Sequence, residues 1–530
     1  MALQLREVSL GLDRSEADLP HEVARILNLR PDELVGFRIV RRSVDARKRP
    51  RVLLVYTVQF SVADEIGLLG LNQHNPRLEQ AKSDPLAVLG RVASPRQILV
   101  VGMGPSGLFA AWQLARYGLK VTLLERGRPV EQRVRDVDRF WTDGDFDPVS
   151  NVQFGEGGAG TFSDGKLTTR LNHPGINLIL ETLVSFGAPA DILIDAKPHV
   201  GTDRLRAVLI RFRRALQELG VDIRFESKLT GLQLAGKRVV GGVINDRDEF
   251  GCAALVLAPG HSARDTYAML SAVGVSLAAK PFAVGLRVDH PVALINRIQY
   301  GMDGHPRLPA ADYRLAWNDP ETGRGVYSFC MCPGGEVVNA SSEEGALVVN
   351  GMSHYRRGTP RSNSALVVSV GPDDFGSSPL AGVDFQRQLE QQAFVLGGKN
   401  YHAPAQNLMA FLGKGNGPIG DPCRPGVREA ELAQLFSPEL LLPLRQGIAQ
   451  FERKMKGFVT REAVLVGVES RTSAPLRILR DPAGESVSHP GLFPAGEGAG
   501  YAGGIMSAAL DGLRVAEEII SREKPAQEEM

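Results

Sequence analysis

The apolar positions of the chain fall into runs whose period switches between two and about 3.6 residues. Near the N-terminus LQLREVSLGL reads as a strand, HEVARILNL as a helix, and VGFRIVRRSV and RVLLVYTVQF as two further strands. Residues 1–60 therefore predict a small α/β module, and from Ser61 to Arg96 the pattern weakens to that of a packed linker. ILVVG opens a buried strand at Ile98, and DRLRAVLIRFRRALQEL at 203–219 is amphipathic at helical period. VDIRF and KRVVGGVI read as strands, and ALVLAPG at 254–260 as a short buried strand running into a loop. From about 277 to 465 the pattern is mixed and rich in loops, with strand-like AVGLRVDH and SALVVSV. GLFPAGEGAGYAGG at 491–504 precedes a helical IMSAALDGLRVAEEII and a polar tail.

Composition narrows this picture. Glycine supplies 58 of the 530 residues and proline an ordinary 33. Glycine does not recur every third residue, so neither collagen nor a disordered linker explains the surplus. It must sit where backbone turns tightly or approaches a ligand. The length predicts two to four domains, each able to bury a core. Lys plus Arg number 61 against 60 Asp plus Glu, which gives the whole chain no bias toward polyanions. The cysteines, at 252, 330, 332 and 423, include no CxxC pair. That excludes an iron–sulfur or structural zinc site of the usual spacing, and no metal is expected. The N-terminus lacks the apolar stretch of a secretory signal, and no window is apolar enough to span a bilayer. A soluble cytoplasmic protein is expected.

Three motifs carry chemistry. In ILVVGMGPSGLFAAWQLARYGLKVTLLERG at 98–127, a GxGxxG follows an apolar strand, opens a helix, and leads to a second strand ending in an acid. Gly102 permits the tight turn, and Gly104, with Pro105 and Ser106 behind it, lets backbone approach a pyrophosphate. Gly107 lets helix and strand pack closely. Glu125 is placed to accept ribose hydroxyls and to repel a 2′-phosphate, with Arg126 beside it. The second motif, FGEGGAGTFSDGKL at 154–167, offers Gly157, Gly158, Ala159, Gly160, Thr161, Ser163, Asp164, Gly165 and Lys166. Small residues alternating with donors and acceptors suit backbone lying against a planar ring and its sugar chain. In the third, at 491–512, Gly496 and Glu497 follow a strand, and Glu497 can bond ribityl hydroxyls. Gly503, Gly504 and Ile505 open a helix whose positive end would face a ring that becomes anionic on reduction.

These elements, in this order, resemble the glutathione-reductase-type FAD-binding fold, in its branch with a single nucleotide-binding domain. LFPAGEGAG matches the closing flavin motif of that superfamily, with Glu497 where Asp is commoner. ALVLAPGHSARD, with Gly260, sits where its members carry an ATG-like strand end. The strings GEGGAGTFSDGKL, PFAVGLRVDHP, YSFCMCPGG, ESRTSAPLRI and GEGAGYAGG resemble a bacterial FAD-dependent dehydrogenase family, NAD(P)/FAD-dependent oxidoreductases, over nearly the whole chain. The resemblance implies an α/β fold: a discontinuous Rossmann-like FAD-binding domain, an inserted mixed α+β substrate domain, and the small N-terminal module. The expected divisions are 1–95 for module and linker, 96–276 for the first part of the FAD domain, 277–465 for the inserted domain, 466–520 for the closing part, and 521–530 for the tail.

FAD makes hydride or electron transfer the expected chemistry, with a small-molecule substrate and neither membrane nor nucleic acid as partner. Candidate catalytic groups are Arg287, Tyr327, Cys330, Cys332, His354, Arg356 and Arg471, with Arg357. Several arginines suggest an anionic substrate, because a guanidinium grips carboxylates in a fork. His199 reads as a structural hydrogen-bonder. Cys330 and Cys332 read as two buried thiols, one thiol near the ring, or a redox pair. GKGNGPIG at 413–420 lacks a preceding strand and a trailing acid, so there is no second nucleotide domain. NAD(P)H, as a transient donor, would dock directly at the flavin. Two further readings remain: a flavin-dependent RNA-modifying protein using Arg47, Lys48, Arg49 and Arg51 of the hairpin tip, and a non-catalytic FAD sensor.

Overall fold

The strand Gln97–Val101 lies at the centre of a five-stranded, all-parallel sheet. Its order is Leu492–Pro494, Ala254–Leu257, Gln97–Val101, Lys120–Leu124, Asp222–Arg224. In the computed structural model of the chain, residues 2–81, 90–93 and 95–523 are described. Parts of the expected linker (82–89 and 94) and of the expected tail (524–530) lie outside them.

The central strand alternates between two cores, which is why it reads as a continuous apolar run. Ile98 and Val100 face the helices Pro105–Arg116, Thr202–Glu218 and Ile505–Ser521. Leu99 and Val101 face a three-stranded antiparallel sheet of Leu229–Ala235, Arg238–Ile244 and Asp248–Gly251. Both the first and the last of those helices start at the carboxyl edge of the parallel sheet, where open α/β sheets bind ligands.

The inserted domain is built on a seven-stranded, mainly antiparallel sheet whose longest pairing joins Phe282–Pro291 to Arg361–Val370. One face carries Val284, Leu286, Val288, Leu366 and Val368 under the helix Pro438–Lys454. The other face is sparse: Ala283, Ala365 and Val367, with half-buried Tyr327 and Phe329. Val464–Glu469 is a strand of this sheet.

The N-terminal module is a four-stranded antiparallel sheet with the helix Leu19–Leu27 packed on it. It is docked at several points, among them the carbonyls of Gly11 and Leu12, which accept from Arg307 of the inserted domain. The Arg42 N–H donates to the Ile194 carbonyl at 2.6 Å, and the Arg42 guanidinium reaches Asp195 at 2.8 Å. At the hairpin tip Arg47 folds back on Asp45 at 2.7 Å, and Arg49 donates to the Ile298 carbonyl of the inserted domain. Arg47, Lys48, Arg49 and Arg51 are all exposed, so the charged tip is a solvated hairpin end with two local contacts. Among the described residues no helix is long and apolar enough to cross a membrane, and no His/Cys/Asp/Glu cluster could hold a metal.

Candidate functional site

Two uncapped helix starts define the site. Pro105–Arg116 begins at Gly104 and Ile505–Ser521 at Gly504, neither with a side-chain cap. Their first-turn N–H groups and positive dipole ends are thus available to an anion. The helices pack side by side: a Cβ on Gly512 would lie 2.0 Å from the Ser106 carbonyl oxygen, and one on Gly496 2.8 Å from the Ser106 Cβ. By contrast, a Cβ on Gly260, Gly503 or Gly504 would meet nothing within 4 Å. Bare backbone thus faces open space in front of two positive helix ends, which fits a ligand with an anionic, extended midsection.

Glu125 stands at the end of its strand, 5% exposed. Its carboxylate accepts the backbone N–H groups of Met103, Gly127 and Gly155, each at 2.9 Å. The expected ribose contact falls to its remaining acceptor capacity; the observed bonds tie three loops together. Arg126 grips both oxygens of Asp265 at 2.6 and 3.0 Å and lies over the Phe154 ring. With Ser262, Arg264 and Glu343 these three line a cavity of about 430 Å³ between the parallel-sheet and inserted domains.

The second glycine-rich segment is held rigidly by a residue that sequence reading missed. Arg133, fully buried on the helix Val130–Asp143, donates to the carbonyls of Asn151, Val152, Gly155 and Glu156 and to Thr161 Oγ1. The helix reads as an ordinary amphipathic one, so nothing in its pattern marks this arginine. Gly157 N–H donates to the Met103 carbonyl at 2.9 Å, which sets Gly158 against Gly104. Ala159 is half-buried, and Gly160 lies against Ile505. Ser163 bonds within the segment, to the Gly160 carbonyl and the Gly165 N–H. Asp164 and Lys166 point toward the inserted domain. Asp164 grips Arg357 at 2.6 Å and accepts from Ser353; despite its burial, Lys166 and Arg357 hold its carboxyl below the usual range.

Where the closing motif meets the strand end at Gly260, Glu497 Oε1 lies 3.7 Å from His261 Nδ1. Burial pushes the Glu497 carboxyl up to about 7, and burial together with Arg471 and Arg264 pushes His261 down to about 3. His261 Nε2 is buried without a hydrogen-bond partner. Lys280, whose charge bears on Glu497, donates to Ser473 Oγ at 3.0 Å and the Ala474 carbonyl at 3.2 Å. The position of His261 directly after Gly260 was a usable signal; Lys280 had none.

The arginines correct an expectation. Arg287 is fully buried against Glu469 (2.9 and 3.0 Å) and Asn363 (2.7 Å). Arg471 grips Glu390 at 2.6 and 2.9 Å and also donates to Ser262 and Ser342. With Arg357 on Asp164, three of the four arginines offered for an anionic substrate are satisfied internally. Arg356 and His354 are exposed, and His354 lies 3.9 Å from Asp203. Tyr327 is half-buried on the sparse sheet face. His199 bonds the Tyr355 carbonyl at 2.8 Å and stacks on its ring, a structural role.

Family matches along the chain define a flavoprotein. Residues 97–134 match the family model "FAD dependent oxidoreductase", and 281–472 match "FAD-dependent protein, C-terminal domain-like". Residues 3–61 match a domain of unknown function (DUF8436). The chain is 44% identical over 529 residues to an uncharacterized protein of Clostridium beijerinckii, an alignment covering 98% of this chain and 99% of that one. It belongs to the same family as that protein, and its cofactor is FAD. Among solved structures, the flavin-dependent brominase Bmp2 is 14% identical with a TM-score of 0.36, covering 82% of this chain and 81% of its own. CtdE in complex with FAD is 13% identical with a TM-score of 0.29, covering 81% and 89%.

Proposed function

We propose that this protein transfers a hydride between FAD and a small organic molecule held against the Tyr327/Phe329 face of the seven-stranded sheet. The observation that carries the reading is the cradle of bare glycine backbone at 260, 503 and 504 before two uncapped helix ends. Bound there, FAD supplies a ring that accepts or donates a hydride. The free N–H groups at the start of the helix at Pro105 would hold the pyrophosphate, and the remaining acceptor capacity of Glu125 would meet the ribose. The start of the helix at Ile505 sets positive potential beside the ring. Glu497, which titrates near neutrality, holds or releases a proton at its Oε atoms, with His261 kept neutral beside it.

The sheet face argues for an uncharged, planar substrate. Ala283 and Ala365 are small, half-buried Tyr327 and Phe329 supply aromatic surface beside them, and the buried arginines are already paired. The RNA reading is disfavoured because Lys plus Arg, at 61, barely exceed Asp plus Glu, at 60, over the chain.

The test is a visible spectrum of the purified protein, release of FAD on denaturation, and anaerobic stopped-flow reduction by NADH, NADPH and a panel of metabolites. A colourless protein overturns the assignment. A yellow protein that no donor reduces points to a sensor. Salt-sensitive tRNA binding that weakens when Arg47, Lys48 and Arg49 become alanine restores the RNA reading.

A further inference from the structure

The strand Gly325–Cys332 pairs regularly with Arg361–Val370 until Phe329, opposite Ala365. The next pair is Cys332 opposite Asn363, so one extra residue is inserted between them. This β-bulge places Cys330 at φ 45°, left-handed backbone that a non-glycine residue rarely adopts. Such backbone persists where surrounding structure enforces it, often at functional sites. In a regular strand, residues two apart have Cα atoms about 6.6 Å apart, close to the widest a disulfide spans, about 6.8 Å. A bulge with a left-handed residue shortens that span.

The surroundings are those of a reactive pair. Cys332 Sγ donates to the Cys330 carbonyl at 3.4 Å. Lys166 Nζ, from the second flavin motif, lies 3.7 Å from Cys332 Sγ. Arg287 Nη1 donates to the Cys330 carbonyl at 3.2 Å, and Gly351 is so close that a Cβ there would lie 2.8 Å from Cys332 Sγ. The charge of Cys330 also bears on Glu497 of the closing flavin motif. The pair thus touches one flavin motif and acts electrostatically on another. The neighbouring Cys332 and the charges of Lys166 and Arg287 hold the Cys330 thiol well below its ordinary range, against burial, while Cys332 is pushed up. A pair in which one thiol ionises more readily than the other is suited to exchange. Cys252 and Cys423 differ, since burial is the main influence on each and pushes both thiols up.

We propose that Cys330 and Cys332 form a dithiol–disulfide couple that exchanges two electrons with the bound FAD, a step that rests on the flavin reading above. In the oxidising direction the Cys332 S–H bond breaks and the Cys330 Sγ–Cys332 Sγ bond forms. The two electrons and the released proton pass to the oxidised flavin. The reverse step breaks the S–S bond and restores one thiolate and one thiol. The protein thereby stores four electrons instead of two, and the couple can hand them to a disulfide or another two-electron acceptor entering from the sheet face.

The test uses the full-length holoprotein. Anaerobic titration with dithionite should consume two equivalents per FAD in the wild type and one in Cys330→Ser and Cys332→Ser. Alkylation without prior reduction, followed by peptide mapping, should find the segment bearing both residues unmodified and lighter by two hydrogens in the air-oxidised protein. After titration both residues should be alkylated. A yellow wild-type protein that takes one equivalent with both thiols already alkylated overturns the couple and leaves the flavin assignment standing. A disulfide that flavin reduction does not open overturns it too. A colourless protein overturns both readings. The wild-type measurements decide the matter even where a serine variant does not fold.

Discussion

The carboxylate of Glu125 accepts the backbone N–H of Gly155 at 2.9 Å, so the acid at the end of one FAD-domain strand also anchors the second glycine-rich segment. With Met103 and Gly127 it satisfies two further buried N–H groups. Glu125→Ala should therefore destabilise the apoprotein, by about 3 kcal/mol or more, as well as weaken FAD. Urea unfolding of the FAD-free protein checks this. An unchanged midpoint alongside lost flavin would mean that the acid serves the ribose alone.

Gly104 and Gly107 should fail differently when substituted. A Cβ at Gly104 would lie 3.9 Å from the nearest atom outside its own neighbourhood, Gly158 Cα, whereas one at Gly107 would lie 1.8 Å from the Gly102 carbonyl oxygen. Gly104→Val should fold with near-native circular dichroism and emerge colourless, because the added bulk occupies the pyrophosphate approach. Gly107→Val should lose fold and flavin together. A yellow Gly104→Val protein would place the phosphates elsewhere.

Glu497 makes a pH-dependent contribution with a definite sign. Its folded pKa, about 7, is raised above the ordinary 4.5, so the fold favours the protonated form. That stabilisation is full below about 4.5 and is lost as pH rises through about 7. The melting temperature of apo wild type relative to apo Glu497→Gln should accordingly fall over this range. Parallel curves would show that the carboxyl is not desolvated.

Arg471 should behave as a structural cation. It is 4% exposed at the side chain and paired to fully buried Glu390. Arg471→Ala should cost about 3–5 kcal/mol in chemical denaturation, because it strips one of the cations from a buried carboxylate. If stability holds and only substrate affinity falls, the residue is a ligand after all.

The parallel sheet, its helices and the three glycine motifs were legible because each depends on residues adjacent in the chain. Ile98, Leu99, Val100 and Val101 form a run that only a strand buried on both faces tolerates. Gly102, Gly104 and Gly107 carry spacing that a phosphate-binding turn requires. Cys330 and Cys332 were visible as a pair, but the bulge that distorts their strand arises from register against a strand more than thirty residues later.

The partnerships were not legible. Arg287 and Glu469 are 182 positions apart, Arg471 and Glu390 81, and Lys166 and Cys332 166. Read singly, an arginine in the inserted domain is a plausible anion clamp; folded, three of the four meet carboxylates of the chain itself. Local pattern is set by each residue's own backbone preference and its near neighbours, and so survives in one dimension. Whether a buried charge is free to meet a substrate depends on which distant segment packing brings against it, and that emerges only once the chain has closed on itself.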